Sequence, residues 1–244
     1  MAVIQLQRPS KRNAFSSQMA DCIVESSKIV SKADSDVRAL ILTGTDSAFC
    51  AGRDLKASAD HTPAEASEYL ERAQLAVKAL LNCPVPVVVG IEMICLGLGL
   101  ELALAGDLRI AGRSTQLGFP EINLSLFPGC GGAVLLPGLL NVSIASDWIF
   151  TGRQIPPDEA KQCGLLHRVV DDGQAYASSV EIARHLAGKN RSLLVKTKSV
   201  IRHGFFKTAQ SSEWFPVSEK YRKEVGEHPD YELALRNFYS RENF

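Results

Sequence analysis

Two glutamates and two glycine-bearing segments are the residues of this chain most able to do chemistry. Glu101 lies in Leu98-Gly99-Leu100-Glu101-Leu102-Ala103-Leu104, a helix-like run that is otherwise apolar. An ionised carboxylate there is costly unless it is paired, hydrogen-bonded or shifted in pKa, and no polar stripe accompanies it to suggest a solvated face. Glu121 follows Pro120 in a loop-like stretch, and taken alone it reads as a surface carboxylate.

Gly97-x-Gly99 follows a strand and opens a helix, which is where a dinucleotide-binding loop would sit. The third glycine of that fingerprint would fall at position 102, which is Leu102, and no G-x-x-x-x-G-K-[ST] occurs anywhere. The nucleotide readings therefore fail at their own spacing. A glycine-rich start to a helix also exposes backbone N–H groups at the positive end of the helix dipole, which suits a developing oxyanion. Close packing of a buried helix is the structural alternative, and this segment alone does not choose between them. Phe49-Cys50-Ala51-Gly52-Arg53-Asp54-Leu55 places a second glycine between a strand end and a polar loop. His61, His167, His185, His203 and His228 are scattered, and no G-x-S-x-G elbow accompanies them, which argues against a Ser-His-Asp hydrolase. Trp148 and Trp214 read as packing residues.

An A-G-x-D turn is common by chance, but here G-x-G-x-E-L-A follows it about 45 residues on, and Gly118-Phe119-Pro120-Glu121-Ile122 comes next. In this combination the chain resembles the crotonase (enoyl-CoA hydratase/isomerase) family from Val3 to about Val170. The resemblance implies an α/β fold, a spiral of ββα units, with a helical C-terminal trimerisation region. Residues 1–190 would form the core and 191–244 the helical region of the same unit. It further implies that the backbone N–H groups of Arg53 and Leu98 hold the thioester oxygen, with Ala51, Asp54 and Leu55 in the same binding turn. Glu101 and Glu121 would flank the α,β-carbons of an acyl-coenzyme A. Carboxylates so close cannot both ionise easily, so one serves as base and the other as acid near neutral pH.

The implied reaction is hydration of a trans-2-enoyl-CoA. Double-bond isomerisation and thioester hydrolysis are the alternatives on the same scaffold, and a vestigial, non-catalytic pocket is a further one. No cofactor is expected beyond the CoA of the substrate, and no metal. A homotrimer or hexamer is implied. Arg8-Pro9-Ser10-Lys11-Arg12-Asn13-Ala14 resembles the family's R-P-x-x-x-N-A turn, so Lys11, Arg12, Arg53 and Lys56 are candidates to face the CoA phosphates. Phe127-Pro128-Gly129-Cys130-Gly131-Gly132 resembles its P-G-x-G-G turn and would shape the acyl pocket.

The sequence departs from the family pattern in several places. Leu98 and Met93 stand where glycine is usual, and Leu98 would be strained at positive φ. The helix after Gly132 lacks the polar T-Q-R-L start. Arg236, Asn237 and Ser240 fall where A-F-x-x-K is common, which leaves a CoA contact from a neighbouring subunit open.

These groups need elements to position them. Val37–Thr43 and Val87–Val89 read as strands, and Leu108–Ala111 as a short one. A helix over about Pro63 to Leu81 would carry Leu70, Ala73, Val77, Leu80 and Leu81 on one face. After Gly129 the pattern turns to successive helices: Gly131–Leu140, Ser143–Phe150, Pro157–Cys163, Gln174–Leu186, Leu193–His203, a segment near Ser211–Val225, and Tyr231–Tyr239. Strands first and helices later, with no Pro- or Ser-rich linker and no internal repeat, point to one core with a helical extension.

A chain of 244 residues can bury roughly 70–75% of its unfolded surface, enough for a full core. Its 27 basic residues balance its 27 acidic ones, which argues against a general nucleic-acid binder. The six cysteines form no C-x-x-C pair and join no histidine cluster, as expected of a reducing compartment and no zinc. The run from Val85 to Ala105 is broken by Gly90, Glu92, Gly97, Gly99 and Glu101, so it reads as a buried strand and helix and not as a membrane span. Ala2–Gln7 is strand-like and carries no signal-peptide pattern. The expectation is a cytoplasmic protein, or one of the mitochondrial matrix if a transit peptide precedes this sequence.

Overall fold

The computed structural model describes residues 1–45, 47–58 and 61–208, the last six as helix backbone only. The helices expected near Ser211–Val225 and Tyr231–Tyr239 lie outside the described residues, as do Trp214, His228, Arg236, Asn237 and Ser240.

The chain winds through a repeated pattern: a long strand of one sheet, a short extended segment of a second layer, then helix. The first turn is β1 (Ala2–Gln5), Phe15 and α1 (Ser17–Ser31). The second is β2 (Leu40–Thr43), the extended Cys50 and Arg53, then α2 (Leu55–Ser58) and α3 (Pro63–Leu81). The third is β3 (Val87–Ile91), β4 (Ile94–Leu96) and α4 (Leu98–Leu104). The fourth is β5 (Leu108–Gly112) and β6 (Gln116–Gly118), followed by a 3₁₀ turn over Pro120–Leu124 and by α5 (Gly132–Leu139), α6 (Val142–Thr151) and α7 (Pro157–Gln162). Then come β7 (Arg168–Val170), α8 (Ala175–Ala187) and α9 (Arg191–Thr208).

The main sheet is parallel throughout, in the order β1-β2-β3-β5-β7. β4 and β6 pair in parallel in the second layer, which Cys50 joins through a parallel bridge to Cys95. Parallel strands must be covered on both faces, and the residues show it. Leu40, Leu42, Val87 and Val89 face the main core, while Ala39, Ile41, Val88 and Ile110 pack under α8 with Ala175 and Ala183.

Local signals explain the helix starts. Thr62 and Glu65 form a reciprocal capping box ahead of Pro63, and Ser16 caps α1 through Met19 N. α3 has the expected bounds and buries Ala73, Val77, Leu80 and Leu81, while Leu70 is half-buried. The helical tail expected after Gly129 is interrupted by β7, which extends the main sheet. The C-terminal end of α4 is held by buried cations. Arg109 donates to the carbonyls of Ala103, Gly106 and Leu165, and Arg202 to those of Ala105 and Gly106. Lys198 pairs with Asp107 at 2.6 Å and donates to Val85 O. Trp148 is a packing residue, fully buried with Nε1 donating to Glu159.

Candidate active site

The second-layer segments bring the glycine turns together. Cys50 N donates to Ile94 O at 2.9 Å and Leu96 N to Cys50 O at 3.0 Å, so the chain through Gly52 runs beside the start of α4. A Cβ built on Gly52 (φ +92°) would lie 2.8 Å from Leu96 O and 3.6 Å from Leu98 N, so the close approach and the backbone conformation both call for glycine. No hydrogen bond from the amide of Arg53 or of Leu98 to a protein acceptor is seen among the described residues. Leu98 carries no positive φ: it is the first residue of α4, and the positive φ falls on Gly97 (φ 51°, ψ −123°). The strain expected at Leu98 is therefore not present, because the turn is made one residue earlier. At Met93 it is present, with φ 55° on a half-exposed side chain in the β3–β4 turn.

Glu101 sits at the first turn of α4, 2% exposed. Its Oε1 accepts from Cys130 N at 2.9 Å and from Gly132 N at 2.7 Å, so the P-G-C-G-G turn wraps the carboxylate. The Cys130 thiol bonds to the same group. Glu121, at the 3₁₀ turn after β6, is only half-buried as a residue, but its Oε2 is buried with no partner among the described residues. Its carboxylate lies over Gly97: a Cβ there would come 2.6 Å from Oε1. The surface reading of Glu121 is thus corrected, because β6 pairs with β4 and carries the loop back over the start of α4.

Burial raises the pKa of both carboxyls. For Glu101 the donors of the 130–132 turn oppose that rise and favour the ionised form. For Glu121 the negative field of Glu101 adds to it. The two groups titrate as a pair, so one proton is readily shared between them. The hydrogen-bond asymmetry puts the negative charge on Glu101 and the proton on Glu121. Such a pair can take a proton from one bound group and give one to another.

The remaining candidates divide. Ala51 N donates to Arg12 O at 3.1 Å, which ties the 8–14 turn to the A-G-R-D turn. Asn13 reinforces that turn, accepting from Arg8 N and donating to Ala48 O. Lys11, Arg12 and Lys56 are exposed at this rim. Asp54 does not face outward: it is buried, paired with Arg8 at 3.0 Å, and accepts from Ala57 N at the start of α2, where the half-buried Leu55 also lies. Its pKa is lowered although burial acts to raise it, because the Ala57 amide and Arg8 outweigh that burial. Arg53 is set apart from the rim cations, because its side chain turns inward onto Tyr69. Sequence reasoning did not single out Tyr69, His61 or the Cys130 thiol as site residues. Only the P-G-x-G-G resemblance pointed to Cys130, and nothing local pointed to the other two.

The family profile described as enoyl-CoA hydratase/isomerase matches residues 1–242. The chain is 32% identical over 223 residues to an enoyl-CoA hydratase of Mycobacterium tuberculosis, covering 90% of this chain and 80% of that one. It is 31% identical over 209 residues to the mitochondrial methylglutaconyl-CoA hydratase of Mus musculus, covering 84% of this chain and 66% of that one. The crystal structure of an enoyl-CoA hydratase from Bacillus anthracis superposes with a TM-score of 0.79 at 31% identity, covering 98% of this chain and 92% of that one. Glycine turns at Gly52 and Gly97, a Glu on the helix that Gly97 opens and a Glu on the next loop thus occur in a chain matched almost end to end, and this chain belongs to the enoyl-CoA hydratase/isomerase (crotonase) family.

Proposed function

We propose that the chain is an enoyl-CoA hydratase adding water across the 2,3-double bond of a trans-2-enoyl-CoA. The observation that carries this reading is the unequal pair of buried carboxyls, Glu101 held by the amides of Cys130 and Gly132, and Glu121 with its Oε2 unpartnered among the described residues. The amides of Arg53 and Leu98 polarise the thioester carbonyl, so that charge arriving on its oxygen meets fixed donors. Glu101, the carboxylate of the pair, takes a proton from water as its oxygen bonds to Cβ. Electrons move onto the thioester oxygen as an enolate, and the Glu121 carboxyl then protonates Cα. Each glutamate has then exchanged its protonation state, and transfer between them resets the site. Lys11, Arg12 and Lys56 at the rim suit the CoA phosphates, and CoA enters only as part of the substrate.

Isomerisation needs one acid/base group, which Glu121 could provide alone; hydration needs both. A panel of acyl-CoA substrates with mass-spectrometric product analysis separates the chemistries. Gain of one water reports hydration, a shifted double bond at unchanged mass reports isomerisation, and free CoA reports hydrolysis. Glu101→Gln should depress hydration by on the order of a hundred-fold or more, and a variant hydrating at the parent rate would remove Glu101 from the mechanism. A trimer, or a hexamer of two, is part of the same proposal. Leu193, Val200 and Ile201 expose apolar surface along α9, which is more than an isolated helix face normally leaves bare. Light scattering at the mass of a single chain would count against it.

A further inference from the structure

Besides its amide, Arg53 brings a charge into the site. Its Cζ lies 5.2 Å from the centroid of the Tyr69 ring, and Nε donates to Ser58 Oγ at 3.0 Å. Nη2 is buried and finds no acceptor among the described residues. The neighbouring carboxylate is engaged elsewhere: Asp54 holds Arg8 through Oδ2 and the Ala57 amide through Oδ1. His61 leans on the same Tyr69 ring, with centroids 6.2 Å apart, and its Nδ1 is likewise buried without a partner among the described residues. A buried guanidinium nitrogen without an acceptor is costly, whereas an incoming anion restores the bond.

Tyr69 ties this pair to the reacting end of the site. Its hydroxyl donates to Phe15 O at 3.0 Å, and burial keeps it a neutral phenol. Its ring carries the Arg53 guanidinium, and the helix it belongs to also reaches the turn whose Cys130 amide holds Glu101. Gln74, five residues further along α3, donates to Gly129 O at 2.9 Å, so α3 packs against the 129–132 turn. An acyl chain whose thioester oxygen meets the Arg53 and Leu98 amides would run beside Arg53, Tyr69 and His61 with its far end.

We propose that Arg53 and His61 form an anion subsite for the distal end of the acyl chain, so that the enzyme prefers acyl-CoAs bearing a carboxylate there. Arginine's planar fork matches a carboxylate through two parallel hydrogen bonds, which gives the preference its geometry. This rests on the acyl-CoA reading above.

The test is calorimetric binding of valeryl-CoA and glutaryl-CoA, saturated five-carbon thioesters that differ by a terminal carboxylate, to the full chain. The wild type should bind glutaryl-CoA about ten-fold tighter or better, as expected of a charge-assisted bond made in a desolvated site. Arg53→Gln should bring the two within about two-fold, and His61→Gln should narrow the gap in part. Should Arg53→Gln fail to fold by circular dichroism, the wild-type ratio and the His61→Gln ratio still decide the matter. Equal wild-type affinities would overturn the proposal. So would equal weakening of both ligands and of free CoA in Arg53→Gln, which would make Arg53 a phosphate anchor, and so would failure of glutaryl-CoA to bind. Because neither ligand is an enoyl thioester, the outcome is independent of turnover. A glutaryl-CoA preference without hydration sinks only the hydratase assignment, and hydration without the preference sinks only the subsite.

Discussion

Gly97→Ala perturbs the point where three parts of the site meet. A Cβ at this residue would stand 2.6 Å from Glu121 Oε1 and 3.3 Å from its Cδ, so the carboxyl must retreat by about 0.8 Å to reach ordinary contact at 3.4 Å. The backbone must also hold φ +51°, ψ −123° with a side chain attached, a region nearly confined to glycine, at a cost of about 1–2 kcal/mol. Misplacing an acid/base group by about 1 Å can cost roughly a hundred-fold in rate. Gly97→Ala should therefore lower kcat for enoyl-CoA hydration by about thirty- to a hundred-fold, with a fall in Tm of only about 2–8 °C.

A double-mutant cycle with Glu121→Gln shows where the loss arises. If it runs through Glu121, Gly97→Ala should add little once the carboxyl is gone, because the two changes disable one group. Full additivity would place the effect in the neighbouring Leu98 amide instead. An alanine variant with the parent kcat would refute the placement of Glu121 over this turn as a catalytic requirement.

Glu121→Gln should also change how stability depends on pH. The folded protein holds the Glu121 proton more tightly than the unfolded chain does, so wild-type stability declines as pH rises from the ordinary carboxylate range toward about 8. Denaturant titrations should find the variant and the wild type alike at about pH 4, and the variant more stable by on the order of 3 kcal/mol at about pH 9. The opposite slope would contradict a raised pKa. Met93→Gly removes a side chain that is 38% exposed from a left-handed backbone, and should raise stability by about 0.5–1 kcal/mol in a thermal melt. Arg109→Met removes the donor to Leu165 O and one of the donors to the carbonyls of Ala103 and Gly106, and should cost about 1–3 kcal/mol in a urea titration.

Much of the fold could be read from the chain where a signal was local and repeated. α3 announced itself through Thr62, Pro63, Glu65 and nineteen residues of helical period, and its ends fell as expected. α1 was missed because Ala20 and Ser27 are two of its four buried positions, which leaves Ile23 and Val30 to carry the period alone. β4, β6 and β7 have three residues each, too few for any alternation to register. In the site, Glu101 was legible because a carboxylate in an apolar helix is improbable without a purpose. Glu121 was not legible from its own neighbours, since its burial depends on Gln116–Gly118 pairing with Ile94–Leu96, a contact local patterning does not carry. The inward turn of Arg53 is of the same kind: it depends on Tyr69, which an intervening loop and a helix turn separate from it in sequence.

The two places where this chain lacks a family glycine have different physical weight, and the structure explains why. At Leu98 the side chain enters the core, 5% exposed, on a helical backbone, while the amide is free to point at a ligand. What the proposed chemistry asks of that residue is an N–H in position, and the turn before it is made by Gly97. Leucine therefore costs nothing in φ and adds apolar burial. Gly97 cannot be exchanged so readily: it starts the helix that carries Glu101, makes the turn before the proposed Leu98 donor, and leaves the space that the Glu121 carboxyl occupies. Met93 answers to a different constraint, because it keeps a left-handed turn that glycine would make without strain and offers a half-exposed side chain in return. Counting glycines would treat the three positions alike. The demands on them differ in kind, and only at Gly97 do backbone, donor and acid all depend on the missing side chain.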